Sequence, residues 1–430
     1  MKRFRYIFLL LFGLIGCTQP PITPEDETTD VVIASLLDRV GPEVKSAPLY
    51  RGLVLTDKQQ GAAQTESRFA FRMLNALPNE KDLVLSPLSL SYALGLVQEA
   101  TADEAASQVL DLLGFGAEES AAANAWFKLL LSDLPRLDTT VTLSLANAVL
   151  VDRKYGISPN YKAVAAQEYL ALAEEMDFSD ASVALRIING WCSQHTNGLI
   201  PTLFKEGDLL GTAAILSNAL YAKAAWYGVF SDAGNKPFTT SAGKTASLPF
   251  ITKKALALPY VNTDTYTAVS HPLGQDGRYE LIAILPHANC WDKTLQQLSS
   301  GEWDALRKGM QDQPVEVMLP QFKVENDLSF KNILQGFGVR GIFSTEMGMS
   351  RLLANQSRLP VGDIQQKAVF SLDKTGVEGA AVTAVLIATS TPDPQTPQYI
   401  PFTADRPFIF ALSEKESGLV LFVGVFAGQN

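Results

Sequence analysis

Near the end of this 430-residue chain, Lys374-Thr375-Gly376-Val377-Glu378-Gly379-Ala380-Ala381-Val382-Thr383-Ala384-Val385 combines small residues with strand periodicity. Small side chains dominate its centre, and none of them can do acid–base or metal chemistry. From Val377, the alternate positions Val377, Gly379, Ala381, Thr383, Val385 and Ile387 fall on one side of a strand. All but Thr383 are apolar or lack a polar side chain, and threonine is itself a good strand residue. Yet Gly376, Gly379 and the Ala380-Ala381 pair leave the segment weakly committed to any local structure. A segment that is a buried strand in one state and exposed in another has this composition.

The rest of the chain supplies helices early and strands late. Helical periodicity runs through Gln64 to Leu77, where Phe69, Phe71, Met73 and Leu74 recur at three- and four-residue steps. Ser89 to Gly114 reads as helix, turn, helix, and Asp180 to Gln194 as an amphipathic helix. Strand-like runs lie at Thr142–Val151, Ala214–Ala222, Glu280–Leu285, Val315–Leu319, Val369–Leu372 and Leu419–Val425. That order argues an α+β fold rather than regular βαβ winding. No internal repeat appears, and the Pro-rich runs lie near residues 19–24 and 392–401.

The Gly/Ala-rich segment resembles the reactive-loop hinge of serpins, and its flanks agree. Gln366-Lys367-Ala368-Val369-Phe370-Ser371-Leu372-Asp373 resembles the central strand that feeds the loop. Asp405-Arg406-Pro407-Phe408-Ile409-Phe410 and Gly418-Leu419-Val420-Leu421-Phe422-Val423-Gly424-Val425 are similar to the family's C-terminal strands. Leu85-Ser86-Pro87-Leu88-Ser89-Leu90-Ser91-Tyr92-Ala93-Leu94 is similar to an early helix start, and Ser217-Asn218-Ala219-Leu220-Tyr221-Ala222-Lys223-Ala224-Ala225-Trp226 to a central strand. Val315-Glu316-Val317-Met318-Leu319-Pro320-Gln321-Phe322 and Gly336-Phe337-Gly338-Val339-Arg340-Gly341-Ile342-Phe343 follow in the expected order. The resemblance covers roughly residues 65 to 428. It implies one domain over 61–430 with a large mixed central sheet, helices packed behind it, smaller sheets and an exposed reactive-centre loop at about 374–404. It also implies a monomeric suicide inhibitor. A target serine protease cleaves the loop, forms a covalent acyl-enzyme, and is trapped when the freed hinge inserts as a new strand. The runner-up is a non-inhibitory serpin whose loop is cut only as substrate.

The family's functional positions can be carried over residue by residue. The hinge is Lys374, Thr375, Gly376, Val377, Glu378, Gly379, Ala380, Ala381 and Val382. Counting from Lys374 by the family's hinge-to-cleavage spacing puts the reactive bond at Ser390–Thr391, with Thr389–Ser390 as runner-up. Small residues there, Ala388, Thr389 and Ser390, point to elastase-like or subtilisin-like targets, and no Lys or Arg lies between Lys374 and Arg406. Pro392, Pro394, Pro397 and Pro401 stiffen the far side of the loop. Ser86, Ser89 and Asn218 match the polar cluster where the central strands part, with Gln366 where the family usually has a histidine. Glutamine both donates and accepts, so the cluster closes without a titratable group. Lys374 replaces the family's usual Glu, which removes the expected salt bridge at the hinge start. Trp226 matches a position below the loop, and an ordinary core aromatic fits it equally.

The N-terminus reads as a targeting signal. Lys2, Arg3 and Arg5 precede the apolar run Tyr6 to Ile15, which is too short to span a bilayer as a helix. Leu14-Ile15-Gly16-Cys17 resembles a bacterial lipoprotein box. This implies a signal peptide over 1–16, a lipidated Cys17 and a tether over 17–60. The expected location is extracytoplasmic, on a bacterial membrane. Cys192 and Cys290 then remain, and two buried free thiols are the preferred reading over a disulfide. A formal net charge of −10 argues against nucleic acid as a partner. No cofactor or metal is implied.

Enzymatic readings are weaker. Ser241-Ala242-Gly243-Lys244 and Lys374-Thr375-Gly376 match the S-x-x-K and K-T-G of penicillin-recognising enzymes, but the middle S-x-N element is missing between them. A Ser-His-Asp site needs a base histidine. His195 falls at a helix end, while His271 and His287 adjoin Pro272 and Pro286 in expected loops, and there is no G-x-S-x-G elbow. Three scattered histidines and two cysteines show no metal-ligand spacing.

Overall fold

The computed structural model describes residues 52–78, 81–209, 211–355, 357–377 and 398–428. Local chemistry sets the helix starts. Helix α1 (Asp57–Ala76) begins upstream of the expected Gln64 because Thr56 and Gln59 close a reciprocal cap: Gln59 N donates to Thr56 Oγ1 (3.3 Å) and Thr56 N to Gln59 Oε1 (3.0 Å). Helix α2 (Pro87–Ala100) takes Pro87 in its first turn, where a missing N–H costs nothing, and Ser86 caps it. It is followed by α3 (Asp103–Leu112), α4 (Ser120–Asp133), α5 (Pro159–Glu168) and α6 (Ala181–His195), the last capped by Asp180 accepting from Val183 N. Shorter helices α7 (Trp291–Gln297), α8 (Trp303–Gly309) and α9 (Lys331–Gly336) come later.

The strands are β1 (Leu83–Leu85), β2 (Thr142–Asp152), β3 (Leu172–Met176), β4 (Ala214–Ala225), β5 (Ser231–Thr239), β6 (Thr245–Asn262), β7 (Tyr266–Leu273), β8 (Tyr279–Pro286), β9 (Gln311–Pro320), β10 (Phe322–Ser329), β11 (Gln365–Asp373), β12 (Gly376–Val377), β13 (Ile400–Thr403), β14 (Phe408–Glu414) and β15 (Val420–Phe426). Among the described residues they form two sheets. One runs β1-β15-β14-β8-β7-β6-β9-β13, with β5 paired to β6; the other runs β10-β11-β12-β4-β2-β3. The β2–β3 and β9–β13 ladders are parallel and the others antiparallel, so both sheets are mixed. The α+β expectation holds. The expected loop position of His271 does not: it lies inside β7, 2% exposed, because the Tyr266–Leu273 run continues as strand up to Pro272 and beyond. Ser241–Lys244 forms the turn between β5 and β6, while Lys374–Gly376 belongs to the turn between β11 and β12.

Phenylalanine joins the sheets. Phe322 stacks on Phe426 (4.6 Å) and meets Phe410 (5.2 Å), while Phe370 stacks on Phe410 (4.7 Å) and meets Phe422 (5.9 Å). Phe322 and Phe370 come from the antiparallel pair β10 and β11, and the others from β14 and β15. Aromatic pairs at these spacings contribute about 0.5–1.5 kcal/mol each beyond area burial. Helices α1, α2 and α4 close the opposite side of the main core through Phe69, Phe71, Tyr92, Trp126 and Phe127. Helix α6 covers the outer face of β2 and β4, where Trp191 and Cys192 pack with Ala146, Ala148 and Ala219. Both described cysteines are free. Cys192 is buried, as expected, and burial pushes its thiol up to about 12; Cys290 is half-buried rather than buried.

One carboxyl lies inside this apolar packing. Glu66 on α1 is buried, its Oε2 accepts from Trp126 Nε1 at 3.3 Å, and Oε1 has no partner among the described residues. Burial pushes its pKa from 4.5 up to about 7. The folded state therefore holds this proton more tightly than the unfolded chain does. Its stabilising share is fully present below about pH 4.5 and is lost as pH rises towards 7, a difference of about 3 kcal/mol. Urea unfolding at a series of pH values should give a stability that declines between pH 5 and pH 7. Glu66→Gln should flatten that decline and unfold later than the parent at pH 8. An unchanged slope in the variant would remove Glu66 as its source.

Candidate functional site

The six-stranded sheet is parted at its centre. No ladder joins β4 directly to β11 among the described residues; the two-residue strand β12 stands between their upper ends. Gly376 pairs with Ala225 on one side and Asp373 on the other, and Val377 pairs with Ala224 and Leu372. Below Val377 no strand stands between the facing edges of β4 and β11 among the described residues. A cavity of about 410 Å³ lies in this gap. Its walls are Ser217–Leu220 of β4 and Gln365–Ala368 of β11, with α2 and Phe422 beneath and Ile200, Leu203 and Phe204 across it. A strand edge without a partner is a template for another strand.

A tight turn feeds β12 into the gap. Asp373 Oδ1 accepts from Thr375 N (2.7 Å), Thr375 Oγ1 (2.5 Å) and Gly376 N (3.2 Å). A short acidic side chain bonding to backbone two and three residues on is a standard turn device. Gly376 sits at φ +149°, and a Cβ there would lie 2.0 Å from Ala224 O. Only glycine lets the backbone pass this close to β4. Trp226 clamps the turn from β4's end: its indole Nε1 donates to Asp373 O (2.8 Å) and its backbone N to Thr375 O (3.3 Å). It packs against Phe230 (4.7 Å) and His271 (5.1 Å), so it is both a core aromatic and a hinge ligand. Lys374, at the turn's tip, is exposed and makes no ion pair among the described residues. Asp373 rather than a salt bridge through residue 374 organises the turn.

Ser86, Ser89, Asn218 and Gln366 all line the cavity, but they divide into two groups. Gln366 Oε1 accepts from Ser86 N (2.8 Å) and its Nε2 donates to Ser86 O (2.7 Å), a two-way bond between β11 and the start of α2. Ser86 Oγ donates to Leu421 O (2.9 Å) and accepts from Ser89 N (3.3 Å). Asn218 turns to β2 instead. Its Nδ2 donates to Asn147 Oδ1 (2.7 Å) and Ala146 O (3.2 Å), leaving its buried Oδ1 without a partner among the described residues. Asn147 completes that branch by donating to Tyr169 O (2.9 Å). Sequence reasoning missed Asn147; its place opposite Asn218 in the β2–β4 register is the only signal that could have found it. Hinge residues Glu378, Gly379, Ala380, Ala381 and Val382, the bond candidates Thr389, Ser390 and Thr391, and Cys17 lie outside the described residues.

The histidines hold structural positions. Burial pulls His195 down to about 4, and its ring packs on Trp191. Burial, then the Lys253 ammonium, pulls His271 down to about 3, so its ring stays neutral at physiological pH.

The family model for Serpin (serine protease inhibitor) matches residues 64–428. An uncharacterized serpin-like protein of Thermococcus kodakarensis is 29% identical over 360 residues, 83% of each chain. Antichymotrypsin-2 of Bombyx mori is 29% identical over 363 residues, 80% of this chain and 92% of that one. The native-state crystal structure of the thermophilic serpin tengpin superimposes with a TM-score of 0.77 at 23% identity, covering 91% of this chain and 98% of that chain.

The turn gives a direct test. Asp373→Ala removes three acceptor contacts and should loosen β12 by about 1–2 kcal/mol. Hydrogen–deuterium exchange should then quicken roughly tenfold at Gly376 and Val377 while the β14–β15 core keeps its protection. Unchanged exchange at those two amides would assign the turn's order to Trp226 alone.

Proposed function

This chain belongs to the serpin family, whose members are generally protease inhibitors, and from that premise we propose that it traps serine proteases by strand insertion. The observation that carries this reading is the lane between β4 and β11, which among the described residues holds only β12, the start of the hinge. The β12 register extends by arithmetic. Gly376 opposite Ala225 gives a constant sum of 601, so Ala214, at the far end of β4, would meet Leu386's neighbour Ile387. Against β11 the sum is 749 (376 and 373), which brings Gln365 opposite Ala384. A strand from Gly376 to Ile387 would thus satisfy the whole inner edge of β4 and leave Ala388, Thr389 and Ser390 before the proposed bond.

The inserted side chains suit the lane. Gly379, Ala381, Thr383, Val385 and Ile387 would share the face of Val377, which is buried at 2% exposure against the main core. No charge would be buried on that face, so insertion carries no desolvation penalty of the kind a carboxylate or ammonium would bring. New backbone pairing on two edges and burial of these apolar residues would supply the driving force.

The chemistry is the protease's own until insertion intervenes. Its serine Oγ attacks the Ser390 carbonyl carbon, the Ser390–Thr391 bond breaks, and the proton goes to the Thr391 amine as it leaves. The acyl ester remains on Ser390, and insertion of the hinge carries the protease away before water attacks the ester. Small residues before the bond favour elastase-like or subtilisin-like enzymes. The N-terminal sequence adds a lipid on Cys17 and a tether, which would hold the inhibitor on an extracytoplasmic membrane face.

Incubating the purified protein with pancreatic elastase, and separately with subtilisin, tests this. The expected result is a band of summed mass that survives denaturant, plus a released peptide beginning at Thr391. Clean cleavage without a stable complex would make the loop a mere substrate and overturn the inhibitor reading.

A further inference from the structure

A second site lies on the far side of Trp226. Lys253 on β6 is half-buried, and its Nζ donates to Tyr227 O (2.6 Å) and to His271 Nε2 (3.0 Å). His271 Nδ1 lies 3.0 Å from Pro272 O, which fixes the proton on Nδ1 and leaves Nε2 as the acceptor. Both partners of the ammonium are therefore neutral. No carboxylate among the described residues pairs with it. Its neighbour Lys254 is matched across the β6–β9 ladder by Glu316 (3.6 Å), so the group as a whole carries one uncompensated positive charge.

That charge opens on a pocket of about 560 Å³, which also takes in the Ser231 and Thr252 side chains. Tyr227 and Val229 form an apolar lip, each more than half exposed (55% and 54%), and are two of the four large apolar side chains left exposed among the described residues. Gly228 between them has φ +84°, and a Cβ there would stand 2.8 Å from Lys253 Nζ, so the glycine keeps the approach to the ammonium clear. Desolvation without compensation costs a charge its stability: Lys253 is pulled down to about 8 by burial alone.

We propose that Lys253 and the Tyr227–Val229 lip form a binding site for a small organic monocarboxylate bearing an apolar group. The carboxylate would supply the missing counter-charge on Nζ with help from the Ser231 hydroxyl, and the apolar group would cover the lip. One charge fits one carboxylate. A dianion would face Glu316 with only one free cation to meet it. The site communicates by contact: Lys253 bonds His271, the His271 ring lies edge-on to Trp226 at 5.1 Å, and Trp226 holds Asp373 O. Trp226 fluorescence therefore reads occupancy.

Phenylacetate is a suitable probe, with neutral phenylacetamide as control. Low-dose acetylation of the full chain by acetic anhydride at pH 8, read by mass spectrometry, reports access to Lys253. Phenylacetate at millimolar concentration should slow acetylation of Lys253 at least fivefold, leave the exposed Lys58 unaffected, and change tryptophan emission saturably. Phenylacetamide should do neither, and Lys253→Met should abolish the emission change while retaining the parent's circular dichroism. Because the protection assay uses the unmodified protein, it decides the matter even if the variant fails to fold. No protection of Lys253, equal protection by the amide, or an emission change that survives in Lys253→Met would overturn the proposal.

Discussion

The molecule turns on an unmet demand for hydrogen bonds. Backbone N–H and C=O groups removed from water need partners, and in the six-stranded sheet two facing edges, those of β4 and β11, have no strand partner over most of their length among the described residues. A closed sheet would have no such vacancy. What prevents closure is visible at both ends of the gap: β12 wedges the top, and the Gln366–Ser86 pair ties the lower end of β11 down to α2 rather than across to β4. Asn218 on β4 donates to Asn147 on its own side. The polar residues of this region thus divide along the parting line, each bonded to the half it stands on.

The top of the gap is held by short-range devices. Asp373 folds the chain back on itself through contacts within three residues, and Trp226 adds one side-chain and one main-chain bond from β4. Such contacts depend little on ionic strength, unlike an exposed ion pair. The departure at Lys374 is therefore structurally mild. The hinge start is anchored without the residue that the family ordinarily uses, and the exposed lysine is left to solvent.

Much of this was legible from residues. The Gly/Ala-rich run from Gly376 announced a hinge weakly committed to local structure. Ser86-Pro87 announced a helix start, and Gln366 announced a partner that could donate and accept at once. Other features depended on long-range pairing that no local pattern encodes. Asn147 reads as one polar residue in a strand until the β2–β4 register sets it opposite Asn218. His271 beside proline reads as loop, yet β8 pairs with it and carries the strand through Pro272 to Leu273. Helix α5 gives almost no amphipathic signal, since only Tyr161 and Ala165 along it are buried. The role of Asp373 was hidden for a different reason: resemblance directed attention to residue 374, while the turn is made by the residue before it.

Protonation separates the two ends of the gap. The lower cluster contains serine, asparagine and glutamine, none of which titrates at accessible pH, so its bonds persist wherever the fold does. At the upper end, His271 could titrate in principle, but burial and the adjacent Lys253 hold it neutral. The group near Trp226 whose charge is least settled is Lys253 itself, half-buried and bonded only to neutral acceptors. Glu66, another strongly shifted group, sits among α1, α2 and α4, in the core behind the sheet. Glu66 therefore couples pH to global stability, whereas the lower end of the parting rests on uncharged hydrogen bonds. At that lower end, closing or filling the lane requires a strand rather than a proton.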